Sequence, residues 1–235
     1  MNLAVILAGG KGVRMGTAMP KQFLEIGGRP LIVSTVMNFA VHPEIDAVYI
    51  VCLEAHCSFL RDLLAQYHVP KVKAILPGGR TRQESSFIAV TSLYETYAPT
   101  DIVLIHEAAR PGVEARIISE NIAAARQDGA CCTVIPSQDT VLVSRDGVSV
   151  SSYTERNQMY LVQTPQSFRL GVIYKAHMDC RELPGVTDDS SLVWHCGGKV
   201  SLVTGDKKNV KITSPEDLAF FEKRGMPSET DPFGK

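Results

Sequence analysis

The strongest constraint on the fold is an alternation between short β-branched apolar runs and longer segments with helical spacing. Such apolar runs are typical of strands covered on both faces, and the longer segments fit the covering helices. The expected strands are Leu3–Leu7, Ala47–Leu53, Val72–Leu76, Asp101–His106 and Cys131–Ile135. The expected helices are Leu31–Ala40, Ala55–Tyr67, Gln83–Tyr97 and Ala115–Gln127. The alternation predicts an α/β fold with a mostly parallel sheet and helices on both faces.

Composition restricts the class of partner. The 235 residues are 45% hydrophobic and 21% charged, and the net charge is −1. These values are typical of a globular protein, and they give no overall field that would attract nucleic acid or an anionic membrane. The apolar run Leu3–Ala8 is too short for the core of a signal peptide, and no run is long enough to span a bilayer. We therefore expect a cytoplasmic protein that binds neither nucleic acid nor membrane.

The six cysteines are not spaced like metal ligands. Several lie within apolar runs, as Cys131 and Cys132 do in "ACCTVIP". We expect all of them to be reduced core residues: Cys52, Cys57, Cys131, Cys132, Cys180 and Cys196.

One segment breaks the alternation. Asp139–Tyr153 has period-two spacing on both sides of Asp146-Gly147, which is a hairpin turn signal. The segment has few apolar positions, and an isolated two-stranded ribbon is marginally stable in water. We expect a β-arm at about residues 138–156 that packs on another subunit; the alternative is a hairpin that folds back on its own domain.

The C-terminal third returns to regular spacing. It predicts one helix and two strands, at Ser167–Arg181, Lys199–Val203 and Asn209–Thr213. A last helix is expected to begin with Ser214 as its N-cap, Pro215 at its first position and Asp217 closing a capping box. Residues 1–225 are thus expected to form a single domain, followed by a flexible tail at residues 226–235.

The glycine-rich stretch "LAGGKGVRMG" (Leu7–Gly16) follows the first strand, where a phosphate-binding loop would lie. It is not a P-loop, because no hydroxyl residue follows Lys11. It is a poor dinucleotide fingerprint, because Met15 occupies the third glycine position and Gly16 comes one residue late. A nicotinamide or flavin enzyme is therefore disfavoured.

A glycine turn with cations remains. Its backbone N–H groups can form an anion-binding concavity, and Lys11, Arg14 and Lys21 lie in or near it. Three cations suit a triphosphate better than a pyrophosphate between two nucleosides. The alternative is a surface loop with solvated charges.

The sequence resembles the cytidylyltransferase branch of the sugar-nucleotide pyrophosphorylases. The resemblance rests on motifs that occur in the family's order: "LAGGKGVRMG", "PKQF" (Pro20–Phe23), "GGRTRQES" (Gly78–Ser85), "HEAARP" (His106–Pro111), "QDTV" (Gln138–Val141), "QTPQSF" (Gln163–Phe168), "TDDSSLV" (Thr187–Val193) and "NVKIT" (Asn209–Thr213). It extends from residue 2 to about residue 220. The family comprises 2-C-methyl-D-erythritol 4-phosphate cytidylyltransferases and the related ribitol-5-phosphate cytidylyltransferases.

The resemblance implies a Rossmann-like domain, a homodimer interlocked by the β-arm, and a magnesium-dependent reaction of CTP with a polyol phosphate. It implies these catalytic residues: Arg14, Lys21 and Lys211. It implies these CTP-binding residues: Ala8, Gly9, Gly10, Lys11, Gly12, Gly79, Ser85, Ala108 and Arg110. It implies these polyol-phosphate-binding residues: Thr140, Arg156, Thr164 and Thr187. Arg156 follows the arm, so it could reach the site of the partner subunit.

The metal ligand implied by the resemblance is Glu107. The family usually has Asp at this position of "HEAARP", and glutamate is one methylene longer. It is still a hard oxygen ligand, and magnesium needs few protein ligands when it also binds phosphates and waters. The longer side chain shifts the position at which the carboxylate would meet the metal.

The acceptor is less well defined than the nucleotide. "HEAARP" and "TDDSSLV" resemble the methylerythritol branch, whereas "PKQFLEIGGRPLI" and "MYLVQTPQSF" resemble the ribitol branch at least as well. Because the first two motifs face the acceptor, the sequence favours 2-C-methyl-D-erythritol 4-phosphate. Ribitol 5-phosphate or ribulose 5-phosphate is the alternative, and a non-catalytic nucleotide-binding protein is a distant one.

Overall fold

Strands and helices alternate as expected along the part of the chain that the computed structural model describes, residues 1–10, 20–180 and 186–224. The strands are β1 (Asn2–Ala8), β2 (Glu25–Ile26), β3 (Arg29–Pro30), β4 (Ala47–Cys52), β5 (Val72–Pro77), β6 (Ile102–Glu107), β7 (Ala130–Pro136), β8 (Leu142–Val143), β9 (Ser152–Tyr153), β10 (Tyr160–Arg169) and β11 (Ser201–Thr204). The helices are α1 (Leu31–Ala40), α2 (Cys57–Gln66), α3 (Arg82–Tyr94), α4 (Ala115–Asp128), α5 (Leu170–Cys180), α6 (Asp189–His195) and α7 (Pro215–Arg224). Every strand and helix expected before the arm is confirmed.

Seven strands form one sheet in the order β11-β7-β10-β6-β1-β4-β5. All neighbours pair in parallel except at β10, which runs antiparallel between β6 and β7. The carboxyl ends of β1, β4, β5 and β6 therefore lie at one edge of the sheet. Loops at that edge of an open α/β sheet form its usual ligand-binding crevice.

Both faces of the sheet are covered by helices, as the alternation predicts. On β1, Leu3 and Val5 pack towards α3, α5 and α6, whereas Ala4 and Ile6 pack towards α1, α2 and α4. Full burial of a Val, Leu or Ile side chain contributes roughly 1.5–3 kcal/mol relative to exposure. Among the described helices, none is long and apolar enough to cross a bilayer.

The prediction of a helix from Ser167 was wrong at its start. The residues up to Arg169 belong to β10, and α5 begins only at Leu170. This interior strand contains buried polar residues, which are not typical of a strand in the core. Gln166 and Ser167 are buried, and the Ser167 hydroxyl donates to Asn121 Oδ1 at 3.0 Å. Hydrogen-bonded polar groups are tolerated in an interior, so the hydrophobic pattern did not reveal the strand.

The strand predicted at Asn209–Thr213 was also wrong, since this segment has no regular structure. One backbone bond, from Ile212 N to Ala109 O at 2.9 Å, ties it to the loop after β6, and side chains supply the other contacts. The predicted start of α7 is confirmed, because Ser214 N donates to Asp217 Oδ2 at 2.9 Å and Asp217 N to Ser214 Oγ at 3.3 Å. The predicted tail lies outside the described residues.

The prediction that all six cysteines are reduced was wrong for two of them. Cys180 at the end of α5 and Cys196 just after α6 form a disulfide, with Cα atoms 6.3 Å apart. Helix packing brings these ends together, which sequence spacing does not reveal. The remaining cysteines are free and buried or half-buried: Cys52, Cys57, Cys131 and Cys132.

The arm is a short ribbon. Its strands β8 and β9 pair antiparallel over two residues each, and Ser137 N donates to Met159 O at 2.8 Å across its base. The predicted turn is confirmed: the Asp146 carboxylate accepts from Val148 N and Ser149 N, and Gly147 has φ +72°. Most arm side chains are exposed in the single chain.

Candidate active site

A cleft of about 1020 Å³ opens at the carboxyl ends of the parallel strands. Its walls are Gly9 and Gly10 after β1, the loop after β5 with the first turn of α3, and the loop after β6. Lys21 and the segment around Lys211 close one side. Parts of five of the eight family motifs therefore meet around one space, although they are far apart in the sequence: "LAGGKGVRMG", "PKQF", "GGRTRQES", "HEAARP" and "NVKIT".

Nine of the predicted site residues line this cleft: Ala8, Gly9, Gly10, Lys21, Gly79, Ser85, Glu107, Ala108 and Lys211. Three others, Lys11, Gly12 and Arg14, lie outside the described residues. The remaining predictions lie elsewhere in the fold and are treated below.

Local hydrogen bonds hold the loop after β5 against the cleft. Gly79 N donates to Ser85 Oγ at 3.1 Å, and Thr81 caps α3 by accepting from Glu84 N at 3.0 Å. A Cβ on Gly79 would lie 2.3 Å from the Glu84 side chain, so glycine allows this close approach. The positive end of the α3 dipole and small residues thus face the cleft, which suits a nucleotide.

Glu107 lies on the cleft floor between two cations. Lys211 Nζ is 2.6 Å from Oε1, and Arg110 Nε is 3.0 Å from Oε2. Burial by itself would raise the pKa of Glu107, but Lys211 and then Arg110 outweigh burial and lower the pKa to about 2. The carboxylate is therefore ionised at neutral pH.

A buried chain of hydrogen bonds supports Glu107 from beneath. Glu107 N donates to Thr164 Oγ1 at 3.1 Å, and the Thr164 hydroxyl lies 3.0 Å from His106 Nδ1. His106 Nε2 lies 2.9 Å from Arg110 O, so the chain is satisfied by a neutral imidazole protonated at Nε2. Burial lowers the pKa of His106 to about 4, which agrees with a neutral ring. His106 and Thr164 orient the loop after β6.

The irregular segment at residues 209–213 brings two lysines to one side of the cleft. Lys21 Nζ donates to Ile212 O at 2.8 Å, and Lys211 is two-fifths exposed while pairing with Glu107. Asn209 anchors the segment because its amide donates to Thr164 O at 2.8 Å and its carbonyl accepts from Arg110 at 2.8 Å. Arg110 is therefore held beneath the cleft floor.

Sequence reasoning missed several residues of the cleft. Gln22 Nε2 donates to Ala8 O at 2.8 Å and so fixes the end of β1. Arg80 and Arg82 line the wall after β5, and Arg82 pairs with Asp189 at 2.7 Å. Both arginines stand in "GGRTRQES", but only the glycine and serine of that motif were assigned. Among the described lining residues, four cations face two acids, so the cleft is locally basic and suited to a polyanion.

The residues predicted to bind the polyol phosphate are dispersed, and none of them is among the lining residues described here. Thr140 lies where the chain enters the arm and Arg156 where it leaves the arm, and both are exposed. Thr187 is exposed just before Asp188, the N-cap of α6. Thr164 is buried, and its hydroxyl is engaged by His106 and Glu107. Their contact with a polyol phosphate stays a prediction.

The donor set limits how a divalent cation could be held. Within the described ranges, no group of three His, Cys, Asp or Glu side chains could bind a metal by itself. Glu107 supplies one hard, ionised carboxylate facing the cleft. This fits a magnesium ion that takes most of its ligands from phosphates and waters, which is its usual behaviour beside nucleotides.

Known proteins resemble this chain over nearly its whole length. The family model of 2-C-methyl-D-erythritol 4-phosphate cytidylyltransferase matches residues 2–223. Ribitol-5-phosphate cytidylyltransferase of Vibrio parahaemolyticus is 40% identical over 226 residues, 94% of each chain. 2-C-methyl-D-erythritol 4-phosphate cytidylyltransferase of Geobacillus kaustophilus is 40% identical over 220 residues, 93% of this chain and 94% of that protein. The crystal structure of 4-diphosphocytidyl-2C-methyl-D-erythritol synthase from Anaerococcus prevotii has a TM-score of 0.82 and 30% identity, covering 95% of each chain.

Proposed function

Because this chain belongs to the 2-C-methyl-D-erythritol 4-phosphate cytidylyltransferase family, we propose that it transfers CMP from CTP to 2-C-methyl-D-erythritol 4-phosphate and releases pyrophosphate. Membership makes the chain a nucleotidyltransferase. The observation that supports the reaction most strongly is the locally basic cleft at the carboxyl ends of the strands, where Lys211 pairs with the carboxylate of Glu107 and Lys21 lines the same space.

The reaction needs little proton chemistry. An oxygen of the acceptor phosphate forms a bond to the α-phosphorus of CTP, and the bond from that phosphorus to the oxygen bridging to the β-phosphate breaks. Pyrophosphate leaves with that oxygen and its electron pair. The second pKa of a phosphate monoester is about 6, so the nucleophile is already ionised at neutral pH. The absence of a general base from our assignment is therefore no gap in the mechanism.

The difficulty is to bring two anions together and to stabilise the charge that develops. Lys211 and Lys21 supply fixed positive charge, and the family resemblance adds Arg14, which lies outside the described residues. Glu107 keeps the Lys211 ammonium in place through the 2.6 Å ion pair. Preorganised charge of this kind is worth several kcal/mol per group in a nucleotidyl-transfer site.

Magnesium is proposed as the divalent cation of this reaction. Its charge would offset that of the triphosphate oxygens, and Glu107 is the residue that would hold it, directly or through a water. Each oxygen of Glu107 pairs with one cation and keeps a further lone pair, so the carboxylate could hold a metal and still pair with Lys211 and Arg110. The test is retention of CTP binding, measured by calorimetry with and without magnesium, in Glu107→Asp and Glu107→Gln variants.

A homodimer formed through the arm is the second part of the proposal. Apolar side chains are exposed along the arm: Val141, Leu142, Val143, Val148, Val150 and Tyr153. Tyr160, Leu161 and Val162 at the start of β10 continue this exposed apolar surface. Exposed apolar surface on a marginal ribbon supports burial against a second subunit.

The principal alternative is ribitol 5-phosphate as the acceptor. It is favoured by the 40% identity to the Vibrio parahaemolyticus ribitol-5-phosphate cytidylyltransferase, which equals the identity to the Geobacillus kaustophilus protein. The methylerythritol assignment has the support of the family model and of "HEAARP" and "TDDSSLV".

One assay tests the reaction and separates the acceptors. Pyrophosphate release is measured with CTP and magnesium against 2-C-methyl-D-erythritol 4-phosphate, ribitol 5-phosphate and ribulose 5-phosphate in separate reactions. We expect the largest kcat/KM with the first acceptor. A larger value with ribitol 5-phosphate would transfer the assignment to the alternative, and no release with any acceptor would refute the proposed reaction.

A further inference from the structure

Arg82 and Asp189 form an ion pair between two elements that border the cleft. Arg82 is the first residue of α3, and Asp189 is the first residue of α6. Arg82 Nη2 donates to Asp189 Oδ2 at 2.7 Å, with side-chain exposures of 29% and 1% respectively. The pair thus ties the wall after β5 to the turn that carries Thr187.

The carboxylate of Asp189 is fixed from several directions. Ser86 Oγ donates to Oδ1 at 2.5 Å, and the backbone N–H of Asp189 donates to Gln166 Oε1 at 3.0 Å. Gln166 is buried on β10 and also donates to Asp188 Oδ2 at 3.0 Å. A buried residue held through both its carboxylate and its backbone N–H has little freedom to move, so it defines the position of the arginine that pairs with it.

Arg82 has more hydrogen-bond donors than its contacts with the described residues use. A guanidinium has five N–H donors, and within the described part of the chain Arg82 uses one of them, towards Asp189. Its side chain lines the cleft. Burial lowers the pKa of Arg82, but the charge of Asp189, followed by those of Glu107 and Asp188, raises it overall. Arg82 therefore lies within reach of the charges of both the cleft floor and the turn before α6.

We propose that Arg82 binds the phosphate of the acceptor, and that Asp189 is a positioning residue that directs the unused donors of Arg82 into the cleft. This inference rests on the proposed function, since it assigns a further residue to the same site. A planar guanidinium held on one edge by a carboxylate presents its other edge to a phosphate, which suits bidentate recognition. Its place on the cleft wall, tied through Asp189 to the segment that carries Thr187, favours the acceptor over the cytidine.

Steady-state kinetics test this role. We expect Arg82→Gln to raise the acceptor KM at saturating CTP by at least about tenfold, through loss of a charge-assisted hydrogen bond. The Kd of CTP, measured by calorimetry without acceptor, is expected to change by less than about twofold, since this contact is absent from that complex. Arg116→Gln is the matched control, because Arg116 forms an exposed ion pair with Glu120 on α4 away from the cleft.

A double-mutant comparison tests the positioning role of Asp189. We expect Asp189→Asn to raise the acceptor KM in the wild-type background and to add nothing in the Arg82→Gln background, since it acts through Arg82. Asp189→Glu should recover part of the loss, because it retains the charge of the pair. Equal effects of Asp189→Asn in both backgrounds would contradict the positioning role.

Loss of folding in a single variant does not end the test. The double variant Arg82→Gln/Asp189→Asn replaces the buried ion pair by two neutral amides, which removes the uncompensated charge that each single change leaves. A wild-type acceptor KM in the double variant would overturn the assignment of Arg82. If the wild-type enzyme is inactive with every acceptor, the proposed function itself is refuted. If the wild-type enzyme is active and its variants keep the wild-type KM, only the role of Arg82 is refuted.

Discussion

Around the cleft, polar side chains are buried and held by partners distant in sequence, whereas along the arm the side chains are exposed and the hydrogen bonds are local. Lys211 reaches Glu107 across 104 residues, and Arg110 reaches the Asn209 carbonyl across 99. In the arm, Asp146 accepts from backbone groups two and three residues away. The contacts within one chain therefore hold the described walls of the cleft, whereas burial of the apolar surface of the arm depends on the proposed dimer. Substitutions in the two regions should accordingly affect different measurements.

The largest effect is expected at the cleft. Lys211→Ala removes a fixed charge from the reacting centre, and kcat should fall by about 100- to 1,000-fold, with little change in association. Lys208→Ala is the control, since Lys208 is an exposed residue paired with Glu114. An unchanged kcat in Lys211→Ala would show that the cleft cations do not carry catalysis.

The next effect concerns the stability of the domain outside the arm. Replacing both Cys180 and Cys196 with Ser removes a crosslink between positions separated by 16 residues. The loss should be about 3 kcal/mol in the free energy of unfolding, measured in denaturant under non-reducing conditions. Association through the arm should not change. Cys57→Ser, at a free half-buried cysteine, is the control. An equal loss in the free energy of unfolding in that variant would show that the loss does not come from the disulfide.

Hybrid dimers test whether the arm completes the cleft of the partner. Lys21→Ala and Arg156→Ala chains, each inactive alone, are mixed and allowed to exchange subunits. If Arg156 acts in the partner's site, half of the dimers are hybrids with one intact site each, and about a quarter of the wild-type activity returns. No recovery in verified hybrids would assign Arg156 to its own chain.

A charged residue in the arm should weaken association. Leu142 is 45% exposed in the single chain, so Leu142→Asp costs the monomer little, but it places a carboxylate in the proposed interface. The dissociation constant of the dimer, measured by sedimentation, should rise by at least about tenfold, because the burial of a leucine is lost. Leu202→Asp on β11, at 58% exposure, is the matched control. Equal effects would show that the arm has no special role.

The smallest effect compares two glycines with the same backbone requirement. Gly147 in the arm turn and Gly197 after α6 have φ of +72° and +79°, and neither would place a Cβ within 4 Å of another atom. An alanine in this region costs about 1–2 kcal/mol. We expect Gly197→Ala to lower the free energy of global unfolding, and Gly147→Ala to speed hydrogen exchange in the arm alone. A lower free energy of global unfolding in Gly147→Ala would mean that the arm unfolds together with the rest of the domain.

The fold was predictable where apolar runs were long and regular. β1, β4, β6 and β7 bury both faces, so their sequences carry the signal without interruption. β10 was missed because it buries hydrogen-bonded polar residues, and its partners β6 and β7 lie far away in the chain. The segment at residues 209–213 has a strand-like sequence. Its hydrogen bonds are made with the loop after β6 and with side chains, so it does not pair with a neighbouring strand.

The candidate site was predictable in part. Glycines and lysines in the family motifs identified most of one cleft, because a nucleotide needs close backbone approach and fixed charge. Arg82 and Gln22 were missed, since an arginine or glutamine within a loop has no signature until its partners, Asp189 and the Ala8 carbonyl, are known. Thr164 was predicted to bind the acceptor phosphate; the fold buries it beneath Glu107, and that contact stays a prediction.

By itself, the sequence determined the parallel α/β core, the hairpin turn at Asp146-Gly147 and the cap of α7, because each depends on residues that are close in the chain. Only the tertiary structure decided which charges meet. The pairs of Glu107 with Lys211, Arg82 with Asp189, and Cys180 with Cys196 all join residues brought together by packing. The strength of an ion pair depends on the distance between its charges, and a disulfide forms only between cysteines that are close in space, and spacing along the chain encodes neither distance.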